Sequence, residues 1–155
     1  MDIEASGFGP ESYPIEIGVV RSDGARYCKL IKPFDDWCHW DIAAENLHGI
    51  SKSLLSQKGI PGVQICLELN DFIRSEPTFS DGWVVDSPWL IKLYDRAQIE
   101  IGFRLSSLEM ILKEGQYDVW DEAKASILKR INIQRHRASN DAMLIQRTYI
   151  ETYDL

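Results

Sequence analysis

Two carboxylates stand two residues apart at the start of the chain, in Asp2-Ile3-Glu4. Side chains alternate between the two faces of a β-strand, so a strand here would place both carboxylates on one face. Two carboxylates on one face can share a cation. The same spacing is also common on solvated strand edges, so its meaning depends on the residues that join it.

A third carboxylate, Asp86, stands in the middle of the chain. It follows the apolar run Trp83-Val84-Val85, which is typical of a buried central strand, and it precedes Ser87-Pro88, which favours a helix start. The carboxyl end of a strand is where open α/β sheets bind ligands. The alternative role for Asp86 is a helix N-cap, and Asp81 and Asp95 are rivals for the same position.

An imidazole and a fourth carboxylate, His136 and Asp141, stand five residues apart near the end of the chain. We expect His136 in a loop and Asp141 in the first turn of the last helix. Taken alone, these residues also fit a solvated loop histidine and a helix cap.

The elements that must position these residues alternate in type. Turn signals such as Asp23-Gly24 and apolar periodicity predict the following elements. Strands are expected at 1–5, 15–20, 25–31, 83–85 and 99–105, and helices at 42–47, 51–58, 63–73, 88–97, 119–131 and 139–153. This order predicts an α/β fold in which three antiparallel strands are extended by parallel strands with crossover helices.

Length and composition limit the class of protein. The 155 residues, 45% hydrophobic and 26% charged, fit a single globular domain over 1–155. No apolar run approaches the roughly 18 residues of a membrane span and no signal peptide opens the chain, so we expect a cytoplasmic protein without a membrane partner. The three cysteines have no C-x-x-C spacing and are expected to be reduced, mostly buried thiols.

Charge limits the partners. A net charge of −7 should repel duplex nucleic acid, so any polyanion must be held locally. One basic stretch interrupts the acidic excess, at Lys124, Lys129, Arg130, Arg135 and Arg137. We expect the first three of these to cover a solvated helix face.

Taken in order, these motifs resemble the DEDDh 3′-to-5′ exonucleases, which include polymerase proofreading subunits, oligoribonuclease and ribonuclease T. The resemblance rests on Asp2-x-Glu4, on Asp86 followed by Trp89-Leu90, and on His136-x-x-x-x-Asp141. Tyr-Pro-Ile-Glu-Ile-Gly at 13–18 and Leu-His-Gly-Ile-Ser at 47–51 extend it over nearly the whole chain. It implies a ribonuclease H-like mixed sheet flanked by helices.

The resemblance also implies a reaction. Four carboxylates would hold two Mg²⁺ or Mn²⁺ ions, which prefer oxygen ligands: Asp2, Glu4, Asp86 and Asp141. Two ions about 4 Å apart would activate a water and steady the leaving 3′ oxygen, with His136 as the general base. The expected substrate is the 3′ end of single-stranded DNA or RNA, and the expected product is a nucleoside 5′-monophosphate.

Substrate contacts follow from the same resemblance. Ala5 and Ser6 would face the terminal nucleotide, and Phe8 would be an apolar wedge against its base or sugar. Trp40, with Trp37, is a candidate for lining the cleft. Arg135 and Arg137 are candidates for phosphate contact. Phe8 and both tryptophans have core packing as the alternative, and His48 is expected to be a local structural residue.

Two other functions stay open. The chain could be a noncatalytic module that binds nucleic-acid ends or a polymerase, or a phosphohydrolase that acts on free nucleotides. A homodimer is a further expectation, since ribonuclease T and oligoribonuclease act as dimers.

Overall fold

Three antiparallel strands open the computed structural model, which describes residues 1–154. They are β1 (Asp2–Ala5), β2 (Pro14–Val20) and β3 (Arg26–Lys32), paired in that order. Asp23 accepts a hydrogen bond from the Ala25 amide at 2.9 Å in the turn between β2 and β3, which confirms the predicted hairpin. Leu155, the last residue of the expected 1–155 domain, lies outside the described residues.

Short capped elements follow the hairpin. They are α1 (Ile42–His48), α2 (Lys52–Lys58), β4 (Ile60–Pro61), which pairs with β3 in parallel, and α3 (Gly62–Ile73). The side chains of Asp41 and Ser51 accept hydrogen bonds from amides in the first turns of α1 and α2. The predicted helices over 42–47, 51–58 and 63–73 are confirmed.

A second, two-stranded parallel sheet is formed by β5 (Thr78–Ser80) and β6 (Leu105–Ser107). The Met1 amino group donates to the Phe79 carbonyl at 2.8 Å, so this sheet lies against the start of β1. The expected α/β architecture is therefore present, as a mostly antiparallel four-stranded sheet, a small parallel sheet and six helices over residues 1–154.

The predicted strand at 83–85 is wrong, because these residues form the first turn of α4 (Trp83–Ala97). The run is apolar but not buried, since Val84 is 79% exposed. The Trp83 indole reaches across the surface and donates to the Leu105 carbonyl at 3.2 Å. A short apolar run does not by itself distinguish a strand from a helix turn. The strand at this place is β5, a few residues earlier.

The predicted strand at 99–105 is also wrong for most of its length, since β6 begins only at Leu105. Near its end the segment bonds to β5, where the Arg104 carbonyl accepts from the Thr78 amide, but its earlier backbone groups bond to the Asn70 side chain. The Asn70 amide donates to the Glu100 carbonyl and accepts from the Gly102 amide, both at 2.9 Å. One side chain of α3 therefore holds the segment in an irregular path.

Two long helices complete the chain: α5 (Glu114–Arg130), which begins five residues earlier than expected, and α6 (Ala138–Thr152). In residues 1–154, no helix combines the length and apolar character that a bilayer crossing requires. The expectation of mostly buried thiols is wrong, because Cys28 and Cys38 are exposed and only Cys66 is buried.

Candidate active site

A cavity of about 470 Å³ opens where β1, α1, α4 and the start of α6 meet. It is lined by all five residues expected to catalyse or hold metal: Asp2, Glu4, Asp86, His136 and Asp141. They come from three segments that are far apart in the sequence. The fold therefore brings the expected histidine and the four expected carboxylates into a single concave site.

Glu4, His136 and Asp141 are the tightest group within this cavity. One potential ligand atom from each, two carboxylate oxygens and an imidazole nitrogen, lies within 4.8 Å of the other two. The Asp141 carboxylate is fixed by two donors, Arg135 Nε at 2.6 Å and the backbone amide of His136 at 2.8 Å. His136 adopts a left-handed backbone conformation with φ of 59°, which histidine tolerates better than most residues.

The docking of α6 onto β2 sets the position of this group. Glu16 is only 1% exposed and lies opposite Glu4 in the sheet register. Its carboxylate accepts from the Ala138 amide at 2.8 Å and from two nitrogens of Arg137. At Gly18 a Cβ atom would lie 2.3 Å from the Ala138 carbonyl carbon, so only glycine allows this approach.

Asp86 reaches the cavity from the first turn of α4, not from a strand end as expected. It is 2% exposed and accepts a hydrogen bond from the Ser80 hydroxyl. Of its two rivals, Asp81 also lines the cavity and Asp95 is exposed on α4 outside it. Lys124 was expected on a solvated helix face; instead it lines the cavity and pairs with Asp81 at 2.5 Å.

Burial, with the charges of neighbouring carboxylates, raises the pKa values of Asp2, Glu4 and Asp86. Burial, followed by the charges of Asp86 and Glu4, raises the pKa of Asp2 to about 9. Burial and then Asp141 raise the pKa of Glu4 to about 7. Burial also raises the pKa of Asp86 to about 7, although the Ser80 hydrogen bond opposes this. The positive charges near these groups, the Met1 amine for Asp86 and Arg137 for Glu4, offset only part of this rise.

One buried oxygen in the cavity has no partner. Oδ2 of Asp2 is shielded from solvent and accepts no hydrogen bond. A buried acceptor without a partner is costly, and a cation would satisfy it. The carboxylate oxygens of Asp2, Glu4, Asp86 and Asp141 are the ligands that Mg²⁺ and Mn²⁺ prefer, so the donor set fits these ions.

Phe8 forms an exposed aromatic wall at the cavity mouth. It is 71% exposed, and its ring centroid lies 6.1 Å from that of Trp89. The loop that carries it is tied to α4, because Trp89 donates to the Ser12 hydroxyl at 2.9 Å and Lys92 to the Ser12 carbonyl at 2.6 Å. Ala5 lines the cavity beside it. Phe8 is therefore not a core residue.

Three residues expected to bind substrate lie elsewhere. Ser6 is 1% exposed and its hydroxyl is within 2.9 Å of His39 Nδ1, while the Trp40 indole donates to Glu45 at 2.6 Å. The Arg137 guanidinium is engaged by Glu16. None of the three lines the cavity. The substrate contacts of these three residues were expected from the resemblance in motif order. Motif order does not show which neighbouring group a side chain will contact.

Two further residues pack as the sequence analysis indicated, and one cavity residue was not predicted. His48 is buried, and its Nδ1 accepts from the Ile50 amide at 3.0 Å, so it is a local structural residue as expected. Trp37 stacks on Tyr13 with centroids 5.0 Å apart. Asp41 lines the cavity and was not predicted there, although its position before α1 is typical of an N-cap.

A comparison with protein-family models found no match for this chain, and a comparison with curated proteins found none either.

Proposed function

We propose that the protein is a metal-dependent 3′-to-5′ exonuclease of the DEDDh type, with a ribonuclease H-like fold. The observation that carries the proposal is the convergence of Asp2, Glu4, Asp86, Asp141 and His136 on one cavity. Carboxylates with raised pKa values and a buried acceptor without a partner support a site built for cations. The resemblance in motif order supports the choice of reaction.

The proposed fold is supported by the strand arrangement. The order of the antiparallel strands is β1, β2, β3, and the Met1 amine links the other edge of β1 to Phe79 in β5. This single hydrogen bond places the small parallel sheet beside the unpaired edge of β1, where the proposed fold would continue the main sheet.

In the proposed mechanism, Asp2, Glu4, Asp86 and Asp141 would hold divalent cations. When bound, these ions supply Lewis acidity for activating water and stabilising the charge on phosphate and leaving oxygen. The imidazole nitrogen of His136 that lies within 4.8 Å of the Glu4 and Asp141 oxygens accepts the proton from the attacking water. The water oxygen would form a bond to phosphorus as the bond from phosphorus to the 3′ oxygen breaks. His136 would hold the proton taken from the water, and the departing 3′ oxygen would take a proton from solvent.

Substrate binding in the proposal uses the cavity walls. Phe8 offers an exposed ring for stacking a base, a contact that tolerates any base sequence. Leu47 and the alanines of α1 form an apolar wall that accepts the sugar or base. Lys124 and Arg135 are the lysine and arginine of the cavity lining, and they offset phosphate charge on an otherwise acidic protein.

The decisive experiment follows strand shortening. 5′-labelled single-stranded DNA and RNA are incubated with the protein and Mg²⁺, and the products are resolved by length and identified by mass. We expect stepwise loss from the 3′ end with release of nucleoside 5′-monophosphates. Asp2→Asn and Asp141→Asn should abolish it, whereas Asp95→Asn, an exposed carboxylate of α4 outside the cavity, should not.

Two results would overturn the proposal. One is the absence of shortening by the wild-type protein with either Mg²⁺ or Mn²⁺, which would favour a noncatalytic module. The other is equal shortening by Asp141→Asn and wild-type protein, because a contaminating nuclease gives that pattern.

A further inference from the structure

Asp141 already has a positively charged partner, the guanidinium of Arg135. Arg135 Nε donates to Asp141 Oδ1 at 2.6 Å, and the His136 amide donates to Oδ2 at 2.8 Å. The Asp141 side chain is 10% exposed and that of Arg135 is 36% exposed. Both oxygens of this carboxylate are therefore engaged by donors from the loop that precedes α6.

This pairing conflicts with cation binding at the same carboxylate. A divalent ion would be repelled by a guanidinium that touches the oxygen meant to ligate it. Glu4 and His136 offer ligand atoms within 4.8 Å of Asp141, so the guanidinium stands at the edge of the tightest potential ligand group. Arg135 must lose its contact with Oδ1 before that oxygen can serve an ion fully.

The Arg135 side chain is 36% exposed, and the acidic side chain that it contacts is Asp141. It belongs to the irregular segment between α5 and α6. The neighbouring Arg137 is held by the buried Glu16, and Lys124 is paired with Asp81 at 2.5 Å. Arg135 is the arginine that lines the cavity, and its partner, Asp141, is also a candidate metal ligand.

We propose that Arg135 is a displaceable counter-ion of Asp141, which leaves the carboxylate when divalent cations bind and then binds the substrate phosphate. This inference rests on the proposed exonuclease function. The planar guanidinium suits both partners, because it pairs two-pronged with carboxylate and with phosphate. One side chain then stabilises the cavity before loading and selects a phosphate after it.

The first test measures two affinities by calorimetry, for Mn²⁺ and for a nucleoside 5′-monophosphate in saturating Mn²⁺. Adenosine and deoxyadenosine 5′-monophosphate are both used as probes. Arg135→Gln should bind Mn²⁺ about tenfold more tightly and the monophosphates about tenfold more weakly than wild type, since charge-assisted contacts are of that strength.

The matched control is Lys124→Gln, which removes one positive charge from the same cavity but does not touch Asp141. Any general electrostatic gain in Mn²⁺ affinity appears in both variants, so the proposal requires a larger gain in Arg135→Gln. If thermal unfolding shows that Arg135→Gln is not folded, Arg135→Met, which also removes the charge and keeps a long side chain, replaces it with the same expected changes.

The second test is an NMR measurement on the wild-type protein and does not depend on enzymatic activity. In ¹⁵N-labelled protein without metal, the Nε–H of Arg135 should exchange slowly with solvent because it is bonded to Asp141. Saturating Mg²⁺ should move this signal and speed its exchange. Arg135→Gln identifies the signal by its loss.

The inference is overturned if Arg135→Gln and Lys124→Gln gain Mn²⁺ affinity equally, if monophosphate binding is unchanged, or if Mg²⁺ leaves the Nε–H signal unaltered. If the wild-type protein binds Mn²⁺ but one of these results is obtained, only the role of Arg135 is rejected. Failure of the proposed function has a different signature, namely no strand shortening.

Discussion

Glu16 on β2 and Arg137, 121 residues later, form a two-pronged ion pair beside the candidate active site. Arg137 Nη2 lies 2.6 Å from Oε1 of Glu16, and the adjacent Ala138 amide binds Oε2 at 2.8 Å. The pair joins the second strand of the chain to the start of its last helix. Since His136 directly precedes Arg137, we infer that the ion pair between Glu16 and Arg137 holds the His136 loop in position.

Breaking this pair should destabilise the fold. Arg137→Gln leaves the buried Glu16 carboxylate without its main partner, and we expect a loss of about 2–3 kcal/mol in the free energy of unfolding, measured in urea. The control is Arg130→Gln, which breaks the exposed pair with Glu151 and should cost less than about 1 kcal/mol. Equal losses in the two variants would contradict a structural role for Arg137.

Gly18 should not tolerate a side chain. In Gly18→Ala the new methyl would meet the Ala138 backbone at 2.3 Å and push α6 away from β2, at a cost of about 1–3 kcal/mol or more. Gly82→Ala is the control, because its nearest neighbour would be 3.4 Å away. Thermal unfolding of both variants checks this, and a Gly18→Ala protein as stable as Gly82→Ala would rule out the tight docking.

Stability without metal should fall as pH rises. The pKa of Asp2 is raised to about 9 and that of Glu4 to about 7, so these two carboxyl groups bind more protons in the folded than in the unfolded state from about pH 4 to pH 9. Their contribution to the free energy of unfolding therefore decreases across that window, and the buried Met1 amine, whose pKa is lowered by burial, opposes part of the decrease. Mg²⁺ should raise the melting temperature more at the alkaline end, where it replaces the lost protons.

Melting curves in EDTA and in saturating Mg²⁺ across the same pH range test this. Asp2→Asn removes the cavity carboxyl group whose pKa is raised furthest and should flatten the curve in EDTA. A wild-type melting temperature that rises with pH in EDTA would show that these carboxylates are not crowded as the structure places them.

Removal of the His136 imidazole should slow the proposed reaction but leave metal binding nearly unchanged. Under the proposed function, His136→Gln lowers kcat by about 10²–10⁴-fold, because water loses its proton acceptor. The four carboxylates remain, so Mn²⁺ binding by calorimetry should stay within a few-fold of wild type. A variant with full kcat would remove His136 from the mechanism.

Truncating the aromatic wall should weaken substrate binding and leave the fold intact. Phe8→Ala removes a ring that is 71% exposed, so we expect an unchanged melting temperature and a KM about tenfold higher, in line with about 1–3 kcal/mol per stacked base. Ile150→Ala, an exposed apolar residue of α6 outside the cavity lining, is the control and should change neither quantity.

Local signals made much of the fold predictable. Asp23-Gly24 indicated the hairpin between β2 and β3, and apolar periodicity located α1, α2, α3 and α6. The run at 83–85 was misassigned because hydrophobicity does not say whether a short segment is buried, and Val84 is exposed. The prediction that Asp86 follows a strand was wrong for the same reason.

Four of the acidic residues that line the cavity were predicted from the sequence, but the positions of two basic residues, Lys124 and Arg137, were not. The order of the acidic motifs predicted that Asp2 and Asp141 belong to one site, and both residues line the cavity. The roles of Arg137 and Lys124 depend on Glu16 and Asp81, which lie 121 and 43 residues away in the chain. No local pattern encodes which acid a given basic side chain meets.

Asp2 lies in β1 and Asp141 in α6, far apart in the sequence, and both line one cavity. The cavity therefore exists only after contacts between distant segments have formed. Local opening of either β1 or α6 would take a carboxylate away from it, so the integrity of this cavity depends on the folding of both elements.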